Sequence, residues 1–97
     1  MRDVHFAPDA VRQFKRLPKA IRTLIKEAVR THLLDADPGQ ATRNKFRLRR
    51  ISPFADYELR AGSWRVFYRL DGEQVLVTLI GEKRDAALVV DGEELKL

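Results

Sequence analysis

The chain has 97 residues, of which 44% are hydrophobic, and no cysteine. That suits one domain over residues 1–97 with one core, and it excludes disulfides and thiolate metal sites. No apolar run reaches membrane-spanning length and Met1-Arg2-Asp3 leads into no signal-peptide core, so a cytoplasmic protein away from membranes is expected; the formal charge of +5 points to a polyanion or an acidic partner.

Asp3 to Phe6 reads as a short strand with Val4 and Phe6 on one face. Pro8 suits the first turn of a helix, where its missing N–H costs nothing. Ala10, Val11, Phe14 and Leu17 follow at helical spacing until Pro18, and Ala7 is a poor N-cap. Beyond Pro18, Ile21, Leu24, Ile25, Ala28, Val29 and Leu33 form an apolar stripe that predicts a helix ending near Leu34 or Asp35. Two such helices make an αα-hairpin that can cover one face of a sheet, and the whole second stripe is expected in the core.

Lys45 to Ile51 alternates, with Phe46 and Leu48 one way and Arg47 and Arg49 the other, until Pro53 breaks the run. Tyr57 to Leu70 is the pattern of a β-hairpin broken at Gly62-Ser63. A two-residue loop with Gly first suits a type II′ turn. It places Tyr57 opposite Tyr68, Leu59 opposite Val66 and Ala61 opposite Trp64 on one side. Glu58 then lies opposite Phe67, and Arg60 opposite Arg65, on the other side. A three-residue loop, Ala61-Gly62-Ser63, would shift this register. Asp71-Gly72 signals a type I′ turn, and Val75 to Ile80 reads as a central strand. Val75, Val77 and Leu79 are expected to continue the face of Tyr68, Val66 and Trp64, while Leu76, Thr78 and Ile80 continue the arginine face. Ala87 to Val90 suits one more strand before an Asp91-Gly92 turn; Leu95 and Leu97 either tuck onto the core or fray. The expected architecture is α+β, in the order β-α-α-β-β-β: a twisted antiparallel sheet with the αα-hairpin packed on one face and a basic face opposite.

The charge is uneven. Between residues 41 and 69, Arg43, Lys45, Arg47, Arg49, Arg50, Arg60, Arg65 and Arg69 stand against Asp56 and Glu58; from Asp85 onward, Asp85, Asp91, Glu93 and Glu94 outnumber Lys96. A local basic patch is a stronger sign of nucleic-acid contact than a high pI. Like charges facing each other across a ladder destabilise it. Arg60 beside Arg65, with Arg69 next door, therefore either awaits an anion or splays into solvent. Phe67 shares that face and would stack a base, meet a protein partner, or pack beside Leu76 and Ile80. Trp64, Tyr57 and Tyr68 read as core. His5 and His32 stand far apart without a convergent carboxylate motif, so no metal is expected; no Gly-rich phosphate loop or nucleophile motif points to a cofactor.

Phe6-Ala7-Pro8-Asp9-Ala10, Phe14-Lys15-Arg16-Leu17-Pro18, the Tyr57–Leu70 run and Val75 through Lys83-Arg84, in that order, resemble the RelE/ParE superfamily, the toxic halves of type II toxin–antitoxin pairs. The resemblance implies an acidic antitoxin as partner. RelE-like members act as mRNA interferases, endoribonucleases that cut mRNA on the ribosome and stop translation; ParE-like members share the fold and inhibit DNA gyrase. Carried over by position, Arg60, Arg65 and Arg84 match basic catalytic positions. Glu58 stands where a RelE-like toxin has lysine, and Leu88-Val89-Val90 occupies the stretch where a tyrosine is expected.

Metal-independent cleavage through the ribose 2′-OH would use Arg60 and Arg65 as bidentate phosphate binders and Arg84 at the leaving group. Glu58 would serve as general base or as a structural counter-ion to the arginines. Arg47, Arg49, Phe67, Arg69 and Lys83 would contact RNA. A ribosome-dependent endoribonuclease is the first expectation. A gyrase inhibitor, which gains from the missing tyrosine, and a basic RNA- or protein-binding module without toxicity are the alternatives.

Overall fold

A hairpin of β3 (Tyr57–Ala61) and β4 (Trp64–Asp71) forms the middle of the sheet, with Tyr57 paired to Tyr68, Leu59 to Val66, Arg60 to Arg65 and Ala61 to Trp64. The loop is the two-residue Gly62-Ser63, with positive φ at Gly62 and not at Ser63, as a type II′ turn requires. The computed structural model describes residues 2–49 and 52–95. Around the hairpin lie β1 (Asp3–Phe6), α1 (Pro8–Lys15), α2 (Lys19–Val29) with a π-helical last turn at Arg30–Leu34, β2 (Lys45–Arg47), β5 (Gln74–Arg84), β6 (Ala87–Val90) and β7 (Glu93–Leu95). The end of the run predicted from Lys45 to Ile51, and the placement of Leu97, fall outside the described residues.

The strand order is β2-β3-β4-β5-β6-β7, antiparallel throughout. β1 pairs in parallel with the first half of β5, and β6 takes over the same edge from Glu82. β5 is long enough, at 11 residues, to serve both neighbours. The hairpin after β6 turns through Asp91-Gly92, both at positive φ, as a type I′ turn requires. The turn after β4 departs from expectation. Asp71 is paired with Gln74, so the loop is Gly72-Glu73, with glycine first.

The helices bury one face of the sheet. Ala10, Ile25, Val29 and Leu33 pack on Leu59, Val66, Tyr68, Val75, Val77 and Ile80. Leu24 is not among them: it is 38% exposed and lies at the edge, near Gly62. Ile25, Val29 and Leu33 follow one another every fourth residue and define the buried line; Leu24 is turned about 100° away from Ile25. Tyr68 is fully buried, stacks on Tyr57 at 5.2 Å and donates its hydroxyl to the Pro38 carbonyl at 2.7 Å.

β4 and β5 do not keep one register. Tyr68 pairs with Val77 and Phe67 with Leu79, so Thr78 is an extra residue in a β-bulge. The bulge reverses the parity of everything after it. Ile80 turns to the helix side and Leu79 to the opposite side, the reverse of the expected pattern. The Ile80 N–H, which falls between the segments paired with β1 and β6, is taken by the buried side chain of Gln13 at 2.8 Å.

The face away from the helices is partly covered. Phe67 is 1% exposed in a second apolar cluster with Ala55, Leu79 and Leu88, flanked by Leu48, Phe54, Val90 and Leu95. Leu95 thus tucks in. The roof of this cluster is the 52–56 segment together with the β6–β7 hairpin. Gly81 lies beneath that hairpin. A Cβ there would meet the Val89 carbonyl oxygen and Val90 Cγ2 at 2.9 Å.

Candidate functional site

Glu58, Arg60 and Arg65 come together on the face opposite the helices, through the Glu58–Phe67 and Arg60–Arg65 pairings of one hairpin. The like charges of Arg60 and Arg65 are reconciled by Glu58, whose Oε2 lies 3.4 Å from Arg65 Nε and 3.7 Å from Arg60 Nε. The Glu58 and Arg65 side chains are only 14% and 15% exposed, whereas Arg60 is half exposed. Arg65 also donates from Nη1 to the carbonyls of Gly62 and Trp64, at 2.7 and 2.9 Å. The fork that would clamp a phosphate is thus largely committed within the protein. Arg60 places its guanidinium 4.9 Å over the Phe46 ring.

Arg84 does not join them. Trp64 pairs with Glu82 and faces the helices, so Glu82 and Arg84, two residues on, face the helices too. Arg84 donates to Glu82 at 2.7 Å and lines a cavity of about 260 Å³ with Gln13, Arg16, Trp64 and Asp91. The bulge at Thr78 is the cause: with an unbroken register, Arg84 would share the face of Arg65. It is the exposed Lys83 that follows Gly81 on the Arg65 face.

The remaining candidates are dispersed. Arg47 pairs with Tyr57, packs 5.5 Å from its ring and reaches its hydroxyl at 3.4 Å, so it belongs to the helix-side edge. Arg49 is exposed in the loop after β2. Arg69 donates to the Pro53 carbonyl at 2.6 Å and pins the 52–56 segment; its Nε is buried without a hydrogen-bond partner among the described residues. Phe67 is enclosed and offers no face to a base. The expected packing of Phe67 beside Leu76 and Ile80 is replaced by Ala55, Leu79 and Leu88, again because of the bulge.

Sequence reasoning missed Lys45. It pairs with Leu59, turns to the helix side, is 1% exposed and donates Nζ to the His32 carbonyl at 2.7 Å. Burial lowers its pKa, Asp37 opposing and Arg2 adding to the effect. The ammonium closes the C-terminal end of the helix, where carbonyls lack intrahelical partners. A lysine two residues before Arg47 in an alternating strand was the available signal. Among the described residues no group of three or more His, Cys, Asp or Glu could hold a metal ion.

The family model for the ParE toxin of the type II toxin–antitoxin system parDE matches residues 4–87. The chain therefore belongs to the ParE toxin family, within the RelE/ParE superfamily of type II toxins. Among solved structures, the toxin–antitoxin complex RelBE2 from Mycobacterium tuberculosis matches with a TM-score of 0.65 and 26% identity, covering 86% of this chain and 98% of that one. The archaeal RelE–RelB complex from Pyrococcus horikoshii OT3 matches with a TM-score of 0.62 and 21% identity, over 89% of this chain and 97% of the other, a likeness of fold. Comparison with the curated proteins finds no match. Two helices on a mainly antiparallel sheet are the RelE-like architecture, and the protein is a type II toxin.

Proposed function

We propose that this toxin arrests growth by binding a protein target, DNA gyrase, without cutting RNA, and that an acidic antitoxin neutralises it. The observation that carries this reading is the state of the arginines. Arg65 is spent on Glu58 and two backbone carbonyls, while Arg84 lies across the sheet beside Glu82. A 2′-OH cleavage site needs a base, a phosphate clamp and an acid converging on one phosphorus. Here the candidate base is the counter-ion of the candidate clamp, and the candidate acid stands on the other face. The match to the ParE family model supports the same reading.

Ribosome-dependent mRNA cleavage is the second reading. It is favoured by the half-exposed Arg60 and by Lys83, which share a face, and by the 26% identity to the RelBE2 complex. In that case Arg60, Arg65 and Lys83 would hold the phosphate and Arg84 would not. Among the described residues no helix is long and apolar enough to cross a membrane; the cytoplasm, where both targets reside, is the proposed site of action. Induced expression followed by mapping of RNA 5′ ends tests the choice. The proposal expects growth arrest with an unchanged pattern of mRNA ends. New ends at fixed positions within translated codons would overturn it.

A further inference from the structure

The helical hairpin carries a charge pattern that the reading above leaves unused. Between Pro8 and Leu34, seven lysines and arginines stand against Asp9 and Glu27. Two of the seven are neutralised, Arg12 by Asp9 at 2.9 Å and Arg16 by Asp91 at 3.4 Å. Lys19, Arg22, Lys26 and Arg30 have no carboxylate within ion-pair distance among the described residues. They recur along α2 and its last turn at steps of three, four and four. At 3.6 residues per turn they occupy a sector of roughly 80° and a line of roughly 16 Å. Lys19, Lys26 and Arg30 are exposed, and Arg22 is half-buried where the line borders the core face. Lys15 of α1 adds a fifth cation beside Lys26 and Arg30.

We propose that this stripe binds the phosphate backbone of duplex DNA. Four cations held in line by one helix are repelled by one another, and among the described residues no carboxylate, the neighbouring Glu27 included, comes within ion-pair distance of them. A duplex supplies one negative charge per roughly 1.7 Å of axis, so about ten phosphates lie along the stripe. The stripe itself carries no aromatic residue, and so lacks the stacking platform that unpaired strands use. Its outer neighbours Thr23, Glu27 and Thr31 are polar, and the apolar groove of Val11, Phe14 and Leu34 lies on the other flank, beside Lys26 and Arg30. The contact is with backbone alone and gives no sequence preference. It goes beyond the gyrase reading and does not depend on it.

The test is fluorescence anisotropy of the full-length protein with a short labelled DNA duplex over a salt series, against K19Q/R22Q/K26Q/R30Q. Glutamine keeps helix propensity, and circular dichroism checks that the variant is folded. The logarithm of the wild-type binding constant should fall with the logarithm of salt, and the variant's slope should be shallower by about 3–4, close to one per lost phosphate contact. K19R/K26R/R22K/R30K, which keeps every charge, should retain the wild-type slope. R43Q, an exposed arginine elsewhere, should change it by no more than about one. An unchanged slope in the quadruple glutamine variant overturns the proposal. So does a variant that keeps duplex affinity but loses binding to polyglutamate, since the stripe would then serve an acidic protein. Gyrase inhibition is measured separately, so either idea can fail alone.

Discussion

Replacing Glu58 by glutamine distinguishes a structural carboxylate from a reacting one. The side chain is 14% exposed and its close partner Arg65 is 15% exposed, with 3.4 Å between Oε2 and Nε. Exposed ion pairs contribute about 0–1 kcal/mol, and breaking a fully buried one costs about 3–5 kcal/mol. This pair lies between those limits, and Arg65 keeps the Gly62 and Trp64 carbonyls as acceptors after the change. Glu58→Gln should therefore cost about 1–2 kcal/mol. In a chain of this length that lowers Tm by roughly 5–10 °C. A double-mutant cycle with Arg65→Met should return a coupling of about 0.5–2 kcal/mol, because the two groups touch. Thermal melts and growth arrest on induction are measured on the same variants, and toxicity should survive at temperatures where the variant is folded. Wild-type stability together with a loss of about 10²–10⁴ in RNA cleavage rate would refute the reasoning and make Glu58 a general base.

At Gly81 two effects oppose each other. Alanine in a strand gains about 0.5–1 kcal/mol over glycine, but a Cβ at 2.9 Å from the Val89 carbonyl forces the backbone of β6 to move, at a cost of about 1–3 kcal/mol. Gly81→Ala should therefore lower the denaturant midpoint, and a raised midpoint would show that β6 does not cross there. Ile25→Ala should cost about 2–5 kcal/mol and Leu24→Ala less than about 1.5 kcal/mol, since only the former is fully buried; equal costs in urea unfolding would contradict the helix orientation. Burial, and then Tyr57 and Asp37, raise the Tyr68 pKa above its ordinary 10.0. The unfolded chain thus loses that proton first, and stability should fall as pH rises above about 10, by at most ~1.4 kcal/mol per pH unit. Tyr68→Phe should flatten that alkaline limb, and an unchanged slope would contradict the buried hydroxyl.

The central hairpin was legible because alternation, a glycine-first loop and cross-strand partners all agreed on one register. The helices were legible from their stripes, though periodicity alone credited Leu24 with burial that the line through Ile25, Val29 and Leu33 leaves no room for. What escaped was the bulge. Val75 to Ile80 is apolar on both faces, so a one-residue slip leaves no mark in the pattern. The register changes where Tyr68 pairs with Val77 and Phe67 with Leu79, and the Gln13 bond to Ile80 and the crossing over Gly81 follow from it. That slip decided the site, since it exchanged Arg84 for Lys83 on the arginine face and sealed Phe67 beneath Leu88. Lys45 was missed for a related reason. In a three-residue edge strand, charge argues for solvent, and the carbonyl that holds its ammonium comes from 13 residues away.

The most direct test of the central claim is a supercoiling assay with purified DNA gyrase, relaxed plasmid and this toxin, with and without its antitoxin. The account predicts that the toxin inhibits supercoiling in proportion to its concentration, that the antitoxin restores it, and that Arg84→Ala leaves RNA in a translation extract as intact as wild type does. Full gyrase activity at saturating toxin, with mRNA cut in that extract, would contradict it.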